Sequence, residues 1–277
     1  MSNYHSEEEF LKNYNPRQYD PIAITTDILI LSVSNKETNN YRKLDEKQFS
    51  VLLVKRDTFP FKDKWCLPGG FIGVKETLDD AAKRILKEET NLKNIYLEQL
   101  YTFSDVNRDP RMRILSTAYM TLIDKNRLED KLFEKASWFD LTVREKELNG
   151  GKTVIDFVLE NETEKIEFEL EKVKKEETSN IYEYKIKKND KLAFDHPLVI
   201  ATGIDRLKNK VEYTDIVFNM MPEYFTLSEL QKVYETVLGR KLIVADFRRR
   251  IKDKVESTDK IDKGAGHRPS VLYRYKK

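Results

Sequence analysis

The sequence predicts an α/β sandwich with a mixed sheet, interrupted by a β-rich insert and followed by a C-terminal winged helix-turn-helix. Three observations carry this. Aliphatic runs at residues 23–33, 49–56, 95–103 and 113–123 flank one capped amphipathic helix, giving a β-turn-α-β-β order. A Pro-Gly-Gly turn at Pro68, Gly69 and Gly70 precedes that helix. The last 55 or so residues hold two short amphipathic helices, a basic turn and a strand.

The polar stretch 34–48 reads as the loop between the first two strands, and residues 58–63 as a Pro-containing turn. Thr77 and Asp80 form a capping box that opens the helix. Residues 135–140 give a further short strand. From 145 to 192, strand-like pieces (153–159, 165–170, 181–186) alternate with charged or Gly-containing turns, which reads as a hairpin or meander inserted into the domain. Asp195 is placed to cap a helix running from His196 to about Val211, with Pro197 tolerated in its first turn. The expected domains are 1–193, a linking helix and connector over 194–221, and 222–277.

From Gly70 onward the chain presents Gly70, Glu76, Arg84, Ile85, Leu86, Glu88, Glu89, Asn91 and Leu92. Their spacing resembles the Nudix box, Gly-x5-Glu-x7-Arg-Glu-φ-x-Glu-Glu-x-Gly-φ, with φ aliphatic. Ile85 stands where the first Glu of the Arg-Glu pair belongs, and Asn91 replaces the last Gly. Residues 85, 88 and 89 share a helix face, because i, i+3 and i+4 are neighbours. Mg2+ wants hard oxygen ligands in near-octahedral geometry. A Glu at 85 would complete a three-carboxylate cluster; with Ile85, only Glu88 and Glu89 remain, enough to hold Mg2+ weakly. Gly69 and Gly70 allow close approach of backbone to a ligand, and the helix N-terminus behind them favours an anion. Glu76 and Arg84 read as an ion pair that steadies the helix.

The chain has 277 residues, 35% charged and 39% hydrophobic, as expected of a soluble protein of about two domains. No apolar run approaches the roughly 18 residues of a membrane span, and no signal-peptide pattern opens the chain, so a cytoplasmic location is expected. The single cysteine, Cys66, rules out an internal disulfide framework and reads as a small core residue. His196 reads as a structural residue near the helix start. Net charge is +2, but Arg206–Lys277 carries 17 Lys and Arg against 10 Asp and Glu, a net of +7. A basic tail is the electrostatic footprint of a nucleic-acid binder.

In that tail, Thr226 and Glu229 form a second capping box, and Leu227, Leu230, Val233, Tyr234, Val237 and Leu238 give a 3.6-residue stripe that Gly239 ends. Val244, Phe247 and Ile251 read as the buried stripe of the next helix, whose other faces carry Arg248, Arg249, Arg250, Lys252 and Lys254. A basic Gly-containing turn over 260–269 and a strand over 270–275 complete a wing. In a winged helix-turn-helix the second helix enters the major groove of double-stranded DNA and the wing touches the backbone. The expected DNA contacts are Lys241, Arg248, Arg249, Arg250, Lys252, Lys263 and Arg268.

Beyond the box, the chain resembles the Nudix-related transcriptional regulators, the NrtR family. The likeness rests on residues 63–71 with the box, on 96–104 followed by Arg108, Asp109, Pro110 and Arg111 and by 116–119, and on 225–230, 247–250 and 267–273. The second of these segments also resembles ADP-ribose pyrophosphatases. The resemblance implies a repressor whose Nudix domain senses ADP-ribose or a related nucleotide or sugar and whose winged helix binds operator DNA, typically at genes of NAD synthesis. Arg56, Gly69, Gly70, Arg108 and Arg111 are the expected ligand-binding set. Arg108 and Arg111 have two readings, phosphate contacts or loop salt bridges with Asp105 or Asp109. A homodimer is expected, since operators mirror a protein two-fold. The competing reading is a Mg2+-dependent Nudix pyrophosphatase, in which Glu88 and Glu89 would serve the chemistry.

Overall fold

The computed structural model describes residues 6–36, 46–91, 95–125, 135–148, 152–174, 182–262 and 269–276. Leu92, Lys263, Arg268 and most of the wing turn lie outside the described residues. A short helix α1 (Glu7–Asn13) and a 3-10 turn (Pro16–Gln18) lead into the first sheet.

Strands β1 (Ala23–Lys36), β2 (Glu46–Lys55), β3 (Trp65–Cys66), β4 (Gly69–Phe71), β5 (Glu98–Phe103), β6 (Ile114–Leu122), β7 (Ala136–Leu148), β8 (Lys152–Glu160), β9 (Lys165–Lys174) and β10 (Tyr182–Asn189) form one mixed sheet. Its order is β10-β9-β8-β7-β2-β1-β6-β5, with β3 on β2 and β4 on β1. The β1–β6 pair is parallel, and β1 pairs antiparallel with β2. Two helices cover the faces: α2 (Leu78–Thr90) and α3 (His196–Lys210). Alternation along β1 divides the core between them. Ile28 and Ile30 face Ala82, Ile85 and Leu86 of α2, whereas Leu29 and Leu31 face the cluster containing Val199, Ile200, Ile204 and Leu207 of α3. Each such aliphatic side chain stabilises by about 1.5–3 kcal/mol when fully buried. Gly203 of α3 permits the contact: a Cβ there would lie 2.1 Å from a Leu29 methyl.

The segment expected as an insert is continuous with this sheet. Strand β7 is longer than its predicted 135–140. Its first half pairs with β2 and its whole outer length with β8. Ile155, Phe157, Leu159, Ile166, Phe168 and Leu170 point to the α3 side, with Phe157 and Phe168 stacked at 4.6 Å. Glu164 in the β8–β9 turn accepts from Lys55 Nζ and Trp65 Nε1, tying the meander back to β2 and β3. The helix expected as a link is thus also one layer of the sandwich. Asp195 precedes it, but its side chain makes no cap bond; it is spent on Arg108 instead.

A 3-10 turn (Ile216–Met220) leads to the C-terminal unit: α4 (Leu227–Leu238), α5 (Val244–Ile251), β11 (Val255–Asp262) and β12 (Ser270–Tyr275). Thr226 and Glu229 make the reciprocal capping box, and Gly239 ends α4 at φ 68°. Leu230, Val233, Tyr234 and Val237 pack against Phe247 and Ile251 of α5. Two expectations fail here. Val244 is 50% exposed and takes no part in the core that holds Phe247 and Ile251. Strand β11 occupies residues assigned in part to the wing turn, and of its side chains only Val255 is buried. A two-stranded ribbon with both faces wet leaves no apolar alternation to read.

Candidate functional site

A cavity of about 400 Å3 opens where the C-terminal end of β2, the β3–β4 segment, the loop after β5 and the start of α3 meet. That volume is in the range of small-molecule sites. A larger cleft, about 1320 Å3, lies between the sheet edge and the C-terminal unit and is lined by Tyr96, Lys210, Phe218 and Arg274. It contains no box residue, so the smaller cavity is the candidate ligand site.

Asp27 forms the base of that cavity. It is an acid in the middle of an apolar strand, a placement that demands partners. Ser116 Oγ donates to it at 2.5 Å, Arg108 Nη2 lies 3.5 Å away, and His196 Nε2 3.7 Å. Burial alone would raise the Asp27 carboxyl, but His196, Ser116 and Arg108 outweigh it and hold it below the usual carboxylate range. His196 Nδ1 accepts from the Leu67 backbone N–H at 2.9 Å, which anchors α3 to the Pro-Gly-Gly turn. Gly69 is required by this packing: a Cβ there would lie 2.3 Å from Asp27 Oδ1 and 2.9 Å from Thr26 O. Its need is for approach to β1 rather than to a ligand.

The predicted ligand residues separate. Gly69, Gly70, Arg56, Arg108 and Arg111 all line the cavity. Arg108, however, is buried, with 3% of its side chain exposed, and Asp195 and Asp27 take its donors. Those partners lie 87 and 81 residues away in sequence and replace the loop acids expected for it. Arg111 forms the loop pair with Asp109, through Nε at 3.0 Å and Nη2 at 2.8 Å, and keeps an exposed edge. Arg56 Nε donates to the Pro60 carbonyl at 2.8 Å. Both Arg56 and Arg111 lie over the ring of Phe194, at 5.0 and 5.9 Å from its centroid. Sequence reasoning missed Asp27 and Phe194, and it placed His196 as a structural residue at the helix start without its place in the cavity wall. The signals were the lone acid within an aliphatic strand and the Phe-Asp-His run just before a helix.

The box residues take distinct places. Glu76 accepts from Arg84 Nε at 2.7 Å and Nη2 at 3.0 Å, and from Gly73 N at 2.9 Å, which locks the loop onto α2. The Arg84 bonds, with the Gly73 N–H, hold the Glu76 carboxyl down at about 2. Glu88 is exposed and shares Arg84 through Nη1 at 3.3 Å. Glu89 lines the cavity; burial, with Glu88 alongside, raises its carboxyl. The C-terminal turn of α2, not its N-terminus, therefore reaches the pocket. Ile85 is 3% exposed inside the aliphatic cluster with Ile28, Ile30 and Leu52, and its Cδ1 lies 3.4 Å from where a Gly70 Cβ would be. Among the described residues no three His, Cys, Asp or Glu side chains converge as metal ligands. A hydrocarbon at 85, one arginine-bound glutamate and one half-buried glutamate do not fit the family's divalent-metal arrangement. Cys66 is buried and its thiol is pushed up to about 12, a packing residue rather than a nucleophile.

The predicted DNA-contact residues also separate. Arg250 Nη2 donates to the Val211 and Glu212 carbonyls at 2.6 and 2.8 Å, and its guanidinium lies over Tyr234. It joins α5 to the end of α3 and is not free for a groove. Arg249 pairs with Asp246 at 2.7 Å, and Lys241 with the buried Glu235 at 3.3 Å. Arg248 and Lys252 are exposed and make no ion pair among the described interactions. Four residues apart, they share one face.

Comparison with known proteins adds three findings. The NUDIX domain family matches residues 41–183, and the NrtR DNA-binding winged helix domain matches 217–275. The ADPR responsive transcriptional repressor NtrR of Acinetobacter baylyi is 31% identical over 99% of this chain and 90% of its own. Among solved structures, a MutT/nudix family protein from Enterococcus faecalis matches with TM-score 0.67 and 26% identity, over 98% of this chain and 94% of that one. NrtR of Shewanella oneidensis, crystallised with a 27mer DNA, matches with TM-score 0.64 and 26% identity, over 91% and 93%. With a Nudix sandwich and an NrtR winged helix in one chain, and near full-length similarity to such a repressor, the protein belongs to the NrtR family of Nudix-related transcriptional regulators.

Proposed function

We propose that the chain is an effector-responsive transcriptional repressor. Its Nudix pocket takes ADP-ribose or a chemically related diphosphate, and its winged helix binds double-stranded operator DNA as a homodimer. The chain's similarity to an ADPR responsive repressor and to an NrtR crystallised with DNA supports both halves. The observation that carries the reading is the course of α3. Its first residues meet the pocket through His196 and, one residue earlier, the Arg108–Asp195 pair. Its last turn is held by Arg250 of the recognition helix. A ligand that shifts the pocket wall thereby acts on one rigid element that ends at the DNA-reading head. Coupling of this kind requires differential contacts in two states, and α3 supplies the shared element.

In the DNA complex Arg248 and Lys252 face the groove, while Lys241 and Arg249 act from the flanks. Lys263 and Arg268 of the wing meet phosphates. Regulated genes would include those of NAD metabolism, and a cytoplasmic location fits the role; among the described residues no helix is long and apolar enough to cross a membrane.

The alternative, a Mg2+-dependent pyrophosphatase, is disfavoured by Ile85. Mg2+ would be held at most weakly through Glu88 and Glu89. The test is gel retardation of duplex DNA from the gene's own upstream region by the full chain and by a chain ending at Pro222. Only the full chain should bind. Equal binding by the shortened chain would remove the tail from the DNA interface.

A further inference from the structure

Phe194 has a backbone conformation that a bulky residue rarely adopts. Its φ is 52°, in the left-handed region, and Phe61, against whose ring it packs edge-on at 4.7 Å, has φ 62°. Such outliers persist only where the surroundings over-determine them, and they cluster at functional sites. The surroundings here do so. Trp65 N donates to Lys191 O at 3.0 Å, Ala193 N to Trp65 O at 2.8 Å, and Asp195 is held by Arg108. The chain is pinned on both sides of Phe194, and the half-buried ring is directed into the pocket wall.

The ring there touches two cations from different parts of the sheet. Arg56 comes from the end of β2 and Arg111 from the loop after β5; their guanidinium carbons lie 5.0 and 5.9 Å from the same centroid. Phe71 lies under Arg111 at 5.2 Å. Each guanidinium is steadied by a fixed partner, Arg56 Nε by the Pro60 carbonyl and Arg111 Nε and Nη2 by Asp109, and both residues line the cavity with N–H donors that these bonds leave over. A guanidinium fork is the group best shaped for phosphate oxygens, and an aromatic face fixes its plane without using those donors. Two forks on one ring match a ligand with two adjacent phosphates. Arg108, the third arginine of the pocket, is committed to carboxylates.

The geometry points to Phe194 as a positioning residue that holds Arg56 and Arg111 as a two-guanidinium clamp for the diphosphate of the effector. This deepens the proposed function and rests on it. It assigns ligand selectivity to the number of phosphates, with Phe194 acting through the arginines.

The test is calorimetric titration of full-length chain with ADP-ribose, AMP and inorganic pyrophosphate, for wild type, Phe194→Leu and Phe194→Tyr. Leu removes the aromatic face and keeps most of the volume. It should weaken ADP-ribose and pyrophosphate by roughly tenfold and AMP by much less, and Tyr should restore both. If the Leu variant does not fold, Phe194→Gly, which accepts this φ without strain, removes the ring instead and should give the same selective loss. Wild-type binding of ADP-ribose with unchanged affinity in these variants overturns the clamp and leaves the sensor reading standing. Phe194-dependent binding of pyrophosphate without any binding of ADP-ribose keeps the clamp and retracts the nucleotide reading. Binding of neither by wild type overturns both.

Discussion

Arg108 and Asp195, 87 residues apart in the chain, form a two-point buried ion pair: Arg108 Nε and Nη2 donate to the two carboxylate oxygens at 2.9 and 2.7 Å. The pair fastens the loop after β5 to the residue that precedes α3. Arg108→Ala would leave Asp195 buried without its cation and Asp27 with only His196 and Ser116, a loss on the order of 3–5 kcal/mol. Thermal melting should fall by roughly 10 °C for a chain of this size. A melting point within about 2 °C of wild type would show the pair to be dispensable. Arg111→Ala should weaken ADP-ribose binding and also lower the melting point, because the buried Asp109 carboxylate loses its hydrogen-bonded cation.

At the other end of α3, Arg250 separates coupling from DNA contact. Arg250→Ala removes the bonds to the Val211 and Glu212 carbonyls. Operator affinity without effector should stay within about threefold, and the effector's influence on it should shrink. Anisotropy titrations with and without ADP-ribose read both numbers. A loss of more than about tenfold without effector, with the effector ratio intact, would place Arg250 on the DNA instead.

Arg248→Ala should cost about 1–3 kcal/mol of operator affinity whether or not effector is present. Lys252→Ala should weaken all duplexes alike and lower the salt slope by about one. Competition titrations against unrelated duplex at several salt concentrations distinguish base reading from phosphate contact. Full affinity in both variants would reject the face defined by these two residues.

Ile85→Glu introduces a carboxylate into the cluster of Ile28, Ile30 and Leu52. In EDTA the variant should lose about 2–5 kcal/mol of stability, and millimolar Mg2+ should restore part of it by binding the completed carboxylate set. Wild-type melting should be nearly indifferent to Mg2+. ADP-ribose hydrolysis by wild type at an enzyme-like rate, on the order of 1–10 per second, would contradict the sensor reading.

The Glu76 carboxyl, held down at about 2 by Arg84, has a pH consequence with a defined sign. A carboxylate depressed in the folded state stabilises above its unfolded value, and that contribution disappears as pH falls through the folded value. The difference in melting temperature between wild type and Glu76→Gln should be full at neutral pH and close between about 4.5 and about 2. A pH-independent difference would mean that the pair acts by packing alone.

Local features of this chain were legible before the structure and long-range ones were not. The capping box at Thr226 and Glu229, the Gly239 stop and the Glu76–Arg84 spacing all lie within nine residues, where backbone periodicity links sequence to geometry. The partners of Arg108 come from β1 and the start of α3, and no local pattern encodes that meeting. The meander from β8 to β10 was readable as strands, but its fusion with the main sheet depends on β7 running on past Leu141, among charged residues. Arg250 looked like its neighbours Arg248 and Arg249; only the arrival of α3 at its guanidinium distinguishes it. The Phe-Asp-His run marked the place of Phe194 but not its role, which depends on a backbone angle and on two arginines from segments distant in the chain.

The central claim, that one chain couples a diphosphate pocket to a DNA-reading head through α3, is tested most directly by operator anisotropy of the full-length protein titrated with ADP-ribose, with thermal shift run in parallel. The account predicts a melting shift and a change in operator affinity of about 5–150-fold, the usual range of a coupling free energy. A clear melting shift with operator affinity unchanged across the same titration would contradict it.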